Sequence, residues 1–153
     1  MTLTTTWSEL DFKRSVIKYV TTELTSVDLF FKPLTSAPKD SSGNTLSQWV
    51  IINFGERRLD AVASQYVMFD IYSREDDEGF ETSRIIDAIM DIFLDETAMD
   101  GLKLVTLYDT SISASWVAIG GMLPIHRYSS GVMPGKDQTL IRSVVFEFKW
   151  GAK

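Results

Sequence analysis

A chain of 153 residues with 44% hydrophobic and 12% aromatic side chains has the proportions of one globular domain, and at that length roughly two-thirds of the unfolded surface can be buried. The net charge of -6, with a pI near 4.7, disfavours a protein that grips phosphate backbones over a broad face. Cysteine is absent, which excludes disulfides, thiolate zinc sites, iron–sulfur clusters and cysteine nucleophiles.

No run reaches the roughly 20 apolar residues that span a bilayer, and MTLTTTWSEL carries neither the basic nor the apolar region of a signal peptide. The expectation is a cytoplasmic product that enters no membrane. A first helix is expected after Ser8 as N-cap, with Asp11 as capping-box partner and Trp7 stapled onto Phe12. Val16, Ile17, Val20 and Leu24 then recur at helical spacing as far as about Thr25, opposite Lys13, Arg14, Lys18 and Glu23.

Residues 33–48 are rich in Ser, Thr, Pro, Gly and Asn, the composition of a long polar loop. Trp49 to Phe54 (WVIINF) is apolar on both alternating sets, as in a strand covered on two sides, and Gly55 to Arg58 is expected to turn the chain. Ala61 to Tyr72 sets Ala63, Val67, Phe69 and Ile71 against Ser64, Tyr66, Met68 and Asp70, which predicts the second strand of a hairpin. A second helix is expected from about Phe80 to Leu94, with Ile85, Ile86, Ile89, Met90 and Phe93 on one stripe and Gly101 as a stop shortly beyond.

Leu102–Tyr108 and Ile112–Ile119, joined by Asp109-Thr110-Ser111, are expected as another hairpin. Gly120 to Asp137 holds four glycines and two prolines and is expected as a second long loop, at about 120–138. Thr139 to Trp150 (TLIRSVVFEFKW) closes as an alternating strand. The sum is one α+β domain, a mostly antiparallel sheet of about five strands with two helices packed on it, in the order α-β-β-α-β-β-β.

Charge is unevenly spread. From Asp70 to Asp100 there are eleven acidic residues and two arginines, a local charge of -9 that leaves +3 for the rest. Asp87, Asp91 and Asp95 share one helix face at i, i+4 spacing, where like charges cost a few tenths of a kcal/mol per pair. A divalent ion could relieve that cost, but the first helix offers only Glu9, Asp11 and Glu23 at poor spacing, so a solvated or interface-facing stripe is the better account. Glu75, Asp76, Asp77 and Glu78 lack the calcium-loop pattern and fit a solvated loop beside a helix N-terminus. His126 is the sole histidine; Ser129 and Asp137 are near in sequence, without a nucleophile-elbow motif or a triad order. No phosphate-cradling or dinucleotide-binding glycine motif occurs. No catalytic, cofactor-binding or metal-binding residue is therefore assigned.

The stretch Val67-Met68-Phe69-Asp70-Ile71-Tyr72-Ser73-Arg74 runs through an acidic loop into an amphipathic helix, within an acidic, cysteine-free α+β chain with two long excursions. From Ser8 to Trp150 this order of elements resembles the tail terminator proteins of long-tailed, siphovirus-type bacteriophages. The resemblance implies a structural virion protein without enzymatic activity or cofactor, at the head-proximal end of the tail and assembled in the host cytoplasm. It implies a hexameric ring that caps the tail tube, ends its polymerisation and offers the docking surface for the head, with the major tail tube protein and a head-completion or neck protein as partners. A neck connector ring, a small metal-dependent hydrolase and a monomeric peptide-binding adaptor are the competing readings.

In such a ring DNA passes through without specific binding, and Glu75, Asp76, Asp77, Glu78, Asp87, Asp91 and Asp95 become candidates for lining the lumen or for meeting opposite charge on a neighbour. Met122, Leu123, Ile125, Tyr128, Val132 and Met133 are too apolar for a solvated loop and are the expected subunit or tube interface.

Overall fold

The computed structural model describes residues 8–59 and 62–151. Its elements are α1 (Glu9–Glu23), β1 (Asp28–Phe30), β2 (Gln48–Leu59), β3 (Val62–Arg74), α2 (Phe80–Phe93), β4 (Val105–Asp109), β5 (Val117–Ser129), β6 (Met133–Pro134) and β7 (Thr139–Gly151). The fold is α+β, with both helices where the periodicity places them. The sheet differs from expectation in having seven strands, ordered β1-β2-β3-β7-β5-β4 with β6 beside β7. It is mixed, because β1 runs parallel to β2.

α1 starts where Ser8 Oγ accepts a hydrogen bond from the Asp11 amide, satisfying one of the donors that a helix start leaves open. The expected return bond from Asp11 is replaced by a distant one. Asp11 Oδ1 accepts from Thr110 N at 3.0 Å and Thr110 Oγ1 at 2.5 Å, and Arg14 Nη1 donates to Thr110 O and Oγ1. Ser15 Oγ accepts from Tyr108 N, so α1 is tied along the outer side of β4. The expected Trp7 staple falls outside the described residues.

β2 does not turn at Gly55. It continues to Leu59 with a register shift between Phe54 and Arg57, since a bulge absorbs an extra residue without ending the pairing. Gln65 Nε2 donates to Gly55 O across that irregularity. The acidic loop leads into α2 through Gly79 at φ 71°, a left-handed conformation that costs glycine little. Asp76 Oδ2 accepts from Thr82 N in place of an N-cap side chain.

The expected loop at 120–138 is mostly strand: β5 runs to Ser129 and pairs with both β4 and β7. A register shift between His126 and Tyr128 accommodates an extra residue there. The hairpin partner of β4 starts at Val117 rather than Ile112, and the connection is correspondingly longer.

Both helices pack on one face of the sheet. Phe12 stacks on Trp150 with centroids 4.7 Å apart. Phe93 meets Phe69, Phe146 and Phe148 at 5.8, 4.7 and 5.6 Å. Val16, Val20, Ile85, Ile89, Val67, Ile71 and Val144 complete this core. The Tyr19 hydroxyl donates to Ile92 O, linking the two helices; burial, with the nearby Glu23 charge, pushes its pKa up to about 12.

Candidate functional site

The register of β2, β3, β7 and β5 fixes which side chains share the face opposite the helices. Across it run Arg58, Ser64, Lys149 and Leu123, then Tyr66, Glu147 and Ile125, then Asn53, Met68, Val145 and Tyr128. The next rows bring Ile51, Asp70 and Ser143 together, then Trp49, Tyr72, Ile141 and Met133. Of the side chains on this face, Trp49, Ile51, Ser64 and Glu147 are buried, while Met68, Tyr128 and Met133 are exposed. A solvated antiparallel face normally alternates toward polar residues; this one is dominated by aromatic and aliphatic side chains.

Three features order the face. Trp49 and Tyr72 stack across the strands at 5.3 Å and 2°. Beside them residues Thr35, Ala37 and Thr45 close over a cleft of about 490 Å³ that also touches Tyr72, Lys136 and Ile141. In the middle, Asp70 accepts from Asn53 Nδ2 at 2.8 Å and from Ser143 Oγ at 2.6 Å, which satisfies its carboxylate. Burial, reinforced by the Asp70 charge, raises the Tyr72 pKa above its ordinary 10.0.

At the far end Arg127 donates to Glu147 Oε1 through Nε at 2.9 Å and Nη2 at 2.6 Å, with Lys149 at 4.0 Å. Burial alone would raise the Glu147 pKa, but the hydrogen bond and charge of Arg127, helped by Lys149 and Ser64, hold it below the ordinary value.

The expected interface residues divide. Tyr128 is 59% exposed, and Val132 and Met133 are each 46% exposed; Leu123 and Ile125 are half-buried on the same face. Met122 points the other way and is fully buried opposite Val105, because strand alternation sends it into the helix-side core.

The acidic residues divide too. Glu75, Asp77, Glu78, Asp87 and Asp91 are exposed. Asp76 is buried as the cap of α2. α2 ends at Phe93, so Asp95 lies beyond the helix, where the hydroxyl and amide of Thr97 hold its carboxyl below the ordinary range. Among the described residues no three His, Asp or Glu side chains are grouped to hold a metal ion. His126 Nε2 hydrogen-bonds Ser129 Oγ at 2.7 Å on exposed β5.

Tyr66, Met68, Tyr72, Ile141 and Val145 were not expected at a site. Their signal was present in the alternation of β3 and β7, whose second set keeps these five bulky side chains among Ser64, Asp70, Ser143, Glu147 and Lys149. Among the described residues no helix is long and apolar enough to cross a membrane. No protein-family model matches the chain, and no curated protein matches it significantly. The fold and surface define an α+β protein with helices on one side of the sheet and, on the other, a face that is exposed at Met68, Tyr128 and Met133 and buried at Trp49 and Ile51.

Proposed function

We propose that this is a structural protein that self-associates into a ring, and that the ring is the terminator of a long-tailed bacteriophage tail. It caps the tail tube, ends its polymerisation, offers the head its docking surface and lets DNA pass. The observation that carries the reading is the apolar patch that the outer sheet face exposes at Met68, Tyr128 and Met133. A surface containing Met68, Tyr128, Val145 and Met133 is costly to leave in water at about 25 cal/mol per Å² of apolar area, and a partner removes that cost.

The exposed carboxylates Glu75, Asp77 and Glu78 suit a passage that must not hold DNA, because they repel phosphate at short range. The reading has no catalytic step, cofactor or metal, and its partners are further copies of the chain, the tube protein and a neck protein.

Negative-stain imaging with light-scattering mass, from dilute to millimolar protein and with purified tail tubes, tests it. Rings with a central hole about 20 Å wide or more, able to admit the DNA duplex, seated at tube ends are the expected result. A monomer that also ignores tube ends overturns the proposal, and rings that bind the portal side instead identify a neck connector.

A further inference from the structure

The outer sheet face needs one occupant, and three observations select it. The first is charge. The far end of the face carries Arg58, Lys149 and Arg127 against Glu147, engaged by the last two, and Glu56, 3.9 Å from Arg58, which leaves one net positive charge. α1 presents the exposed cations Arg14 and Lys18 and would be repelled there. α2 presents exposed Asp87 and Asp91, which opposite charge would attract.

The second is an anchor. Phe80, at the start of α2, is 73% exposed. Phe80, Arg84, Asp87 and Asp91 follow one another at i, i+4, i+7 and i+11, and so form a single stripe about 16 Å long at 1.5 Å per residue. An aromatic ring at one end of a charged stripe is a knob awaiting a hole. The cleft of about 490 Å³ beside Tyr72 and Ile141, whose rim also carries Arg74, Lys136 and Asp137, lies at the opposite end of the face from Lys149.

The third is level. Arg142 Nη1 donates to Ser83 Oγ, while the Phe93 ring meets Phe146 and Phe148. The start of α2 therefore lies level with the beginning of β7, and its end level with Phe146 to Phe148. A closed ring has no rise from one copy to the next. A ring whose strands run along its axis would bring Phe80 of one copy level with Ile141 of its neighbour, and Asp91 level with Glu147. The span from Ile141 to Glu147 is about 20 Å at 3.3 Å per residue, close to the length of the stripe.

We infer that the ring contact is heterologous: the outer face of α2 from one copy lies on the outer sheet face of the next, with Phe80 in the cleft beside Tyr72 and Ile141, and Asp87 and Asp91 facing the cationic end. This rests on the ring reading and specifies which two surfaces build it.

A charge swap in the full chain tests it. Asp87→Lys with Asp91→Lys, and separately Arg58→Glu with Lys149→Glu, should each raise the protein concentration needed for rings at least about tenfold. All four changes together should recover the wild-type value to within about threefold, because only a direct contact is repaired by reversing both sides. Phe80→Ala should also weaken assembly at least about tenfold while leaving the cooperative unfolding transition in place. Wild-type rings that persist in both charge variants and in the Phe80 variant, or a fourfold variant no better than its parents, would overturn this contact and leave the ring standing. A wild type that stays monomeric, alone and with tail tubes, would overturn both.

Discussion

The two faces of the sheet are made by the same strands, one residue apart, and they do opposite things. On the helix side Phe69, Phe146 and Phe148 are buried and every large side chain has aromatic or aliphatic neighbours within the chain. On the other side Met68 and Val145, directly adjacent in sequence to Phe69 and Phe146, pair with each other under no helix. The first face holds the monomer together, and the second is the one proposed to hold copies together. The comparison shows that apolar character alone does not locate a core; what matters is whether the chain itself supplies the cover.

Substitutions that act on one face and spare the other sharpen this division. Phe93→Ala should cost about 3–5 kcal/mol of folding stability, since it removes a ring packed on those of Tyr19, Phe69, Phe146 and Phe148; thermal or denaturant unfolding measures it. A cost below about 1 kcal/mol would break the assignment of this face as the core. Asp11→Ala should cost about 1–3 kcal/mol, because it strands the Thr110 amide and hydroxyl in a buried place, and should loosen β4, visible as faster amide exchange there. Ser8→Ala should cost about 1 kcal/mol through loss of the cap.

Glu147 lies on the second face, and its effect depends on pH. Its folded pKa is below the unfolded value of about 4.3, so the unfolded chain binds the proton more readily. The stability it contributes is present above about pH 4.3 and is lost as pH falls through the folded pKa. Glu147→Gln should therefore unfold at a lower midpoint than wild type at pH 7, by an amount discounted because Arg127 is partly solvated, and the gap should close in acid. Smallest of all on folding, Met68→Lys should change stability by about 0.5 kcal/mol or less, yet it should prevent rings. A Met68→Lys variant that assembles normally would count against a functional role for the outer face.

Periodicity made the helices, β3 and β7 legible, because each keeps one repeat over three turns or ten residues. β1 escaped notice: three residues, Asp28 to Phe30, are too short to show alternation, and their parallel pairing to Trp49–Ile51 is a tertiary fact. Glu56, Arg57 and Arg58 read as a turn because they are charged, yet a strand at the rim of a sheet tolerates charge on both sides. Gly120, Gly121 and Pro124 read as loop for the same kind of reason. Gly121 in fact leaves room for Leu104, whose side chain lies 2.6 Å from where a Cβ would stand. Asp11 shows the limit from the other direction: its spacing after Ser8 fits a local cap, while its carboxylate is claimed by a residue 99 positions away.

The exposure of the expected interface residues was half legible. Tyr128, Val132 and Met133 were picked for being too apolar for a loop and are exposed. Met122 was picked by the same argument and is core, because which way a residue faces depends on strand register that composition does not carry.

β7 sits between β3 and β5 and also carries β6, and every strand it joins precedes it in the chain. During synthesis β3 and β5 wait with open hydrogen-bonding edges, and neither layer can close until β7 has been made. The strand that joins β3 to β5 also supplies Ile141, Val145 and Lys149 to the outer face, so a nascent chain without it lacks the surface proposed to dock. In the proposed ring, translation order itself keeps unfinished copies out of the assembly.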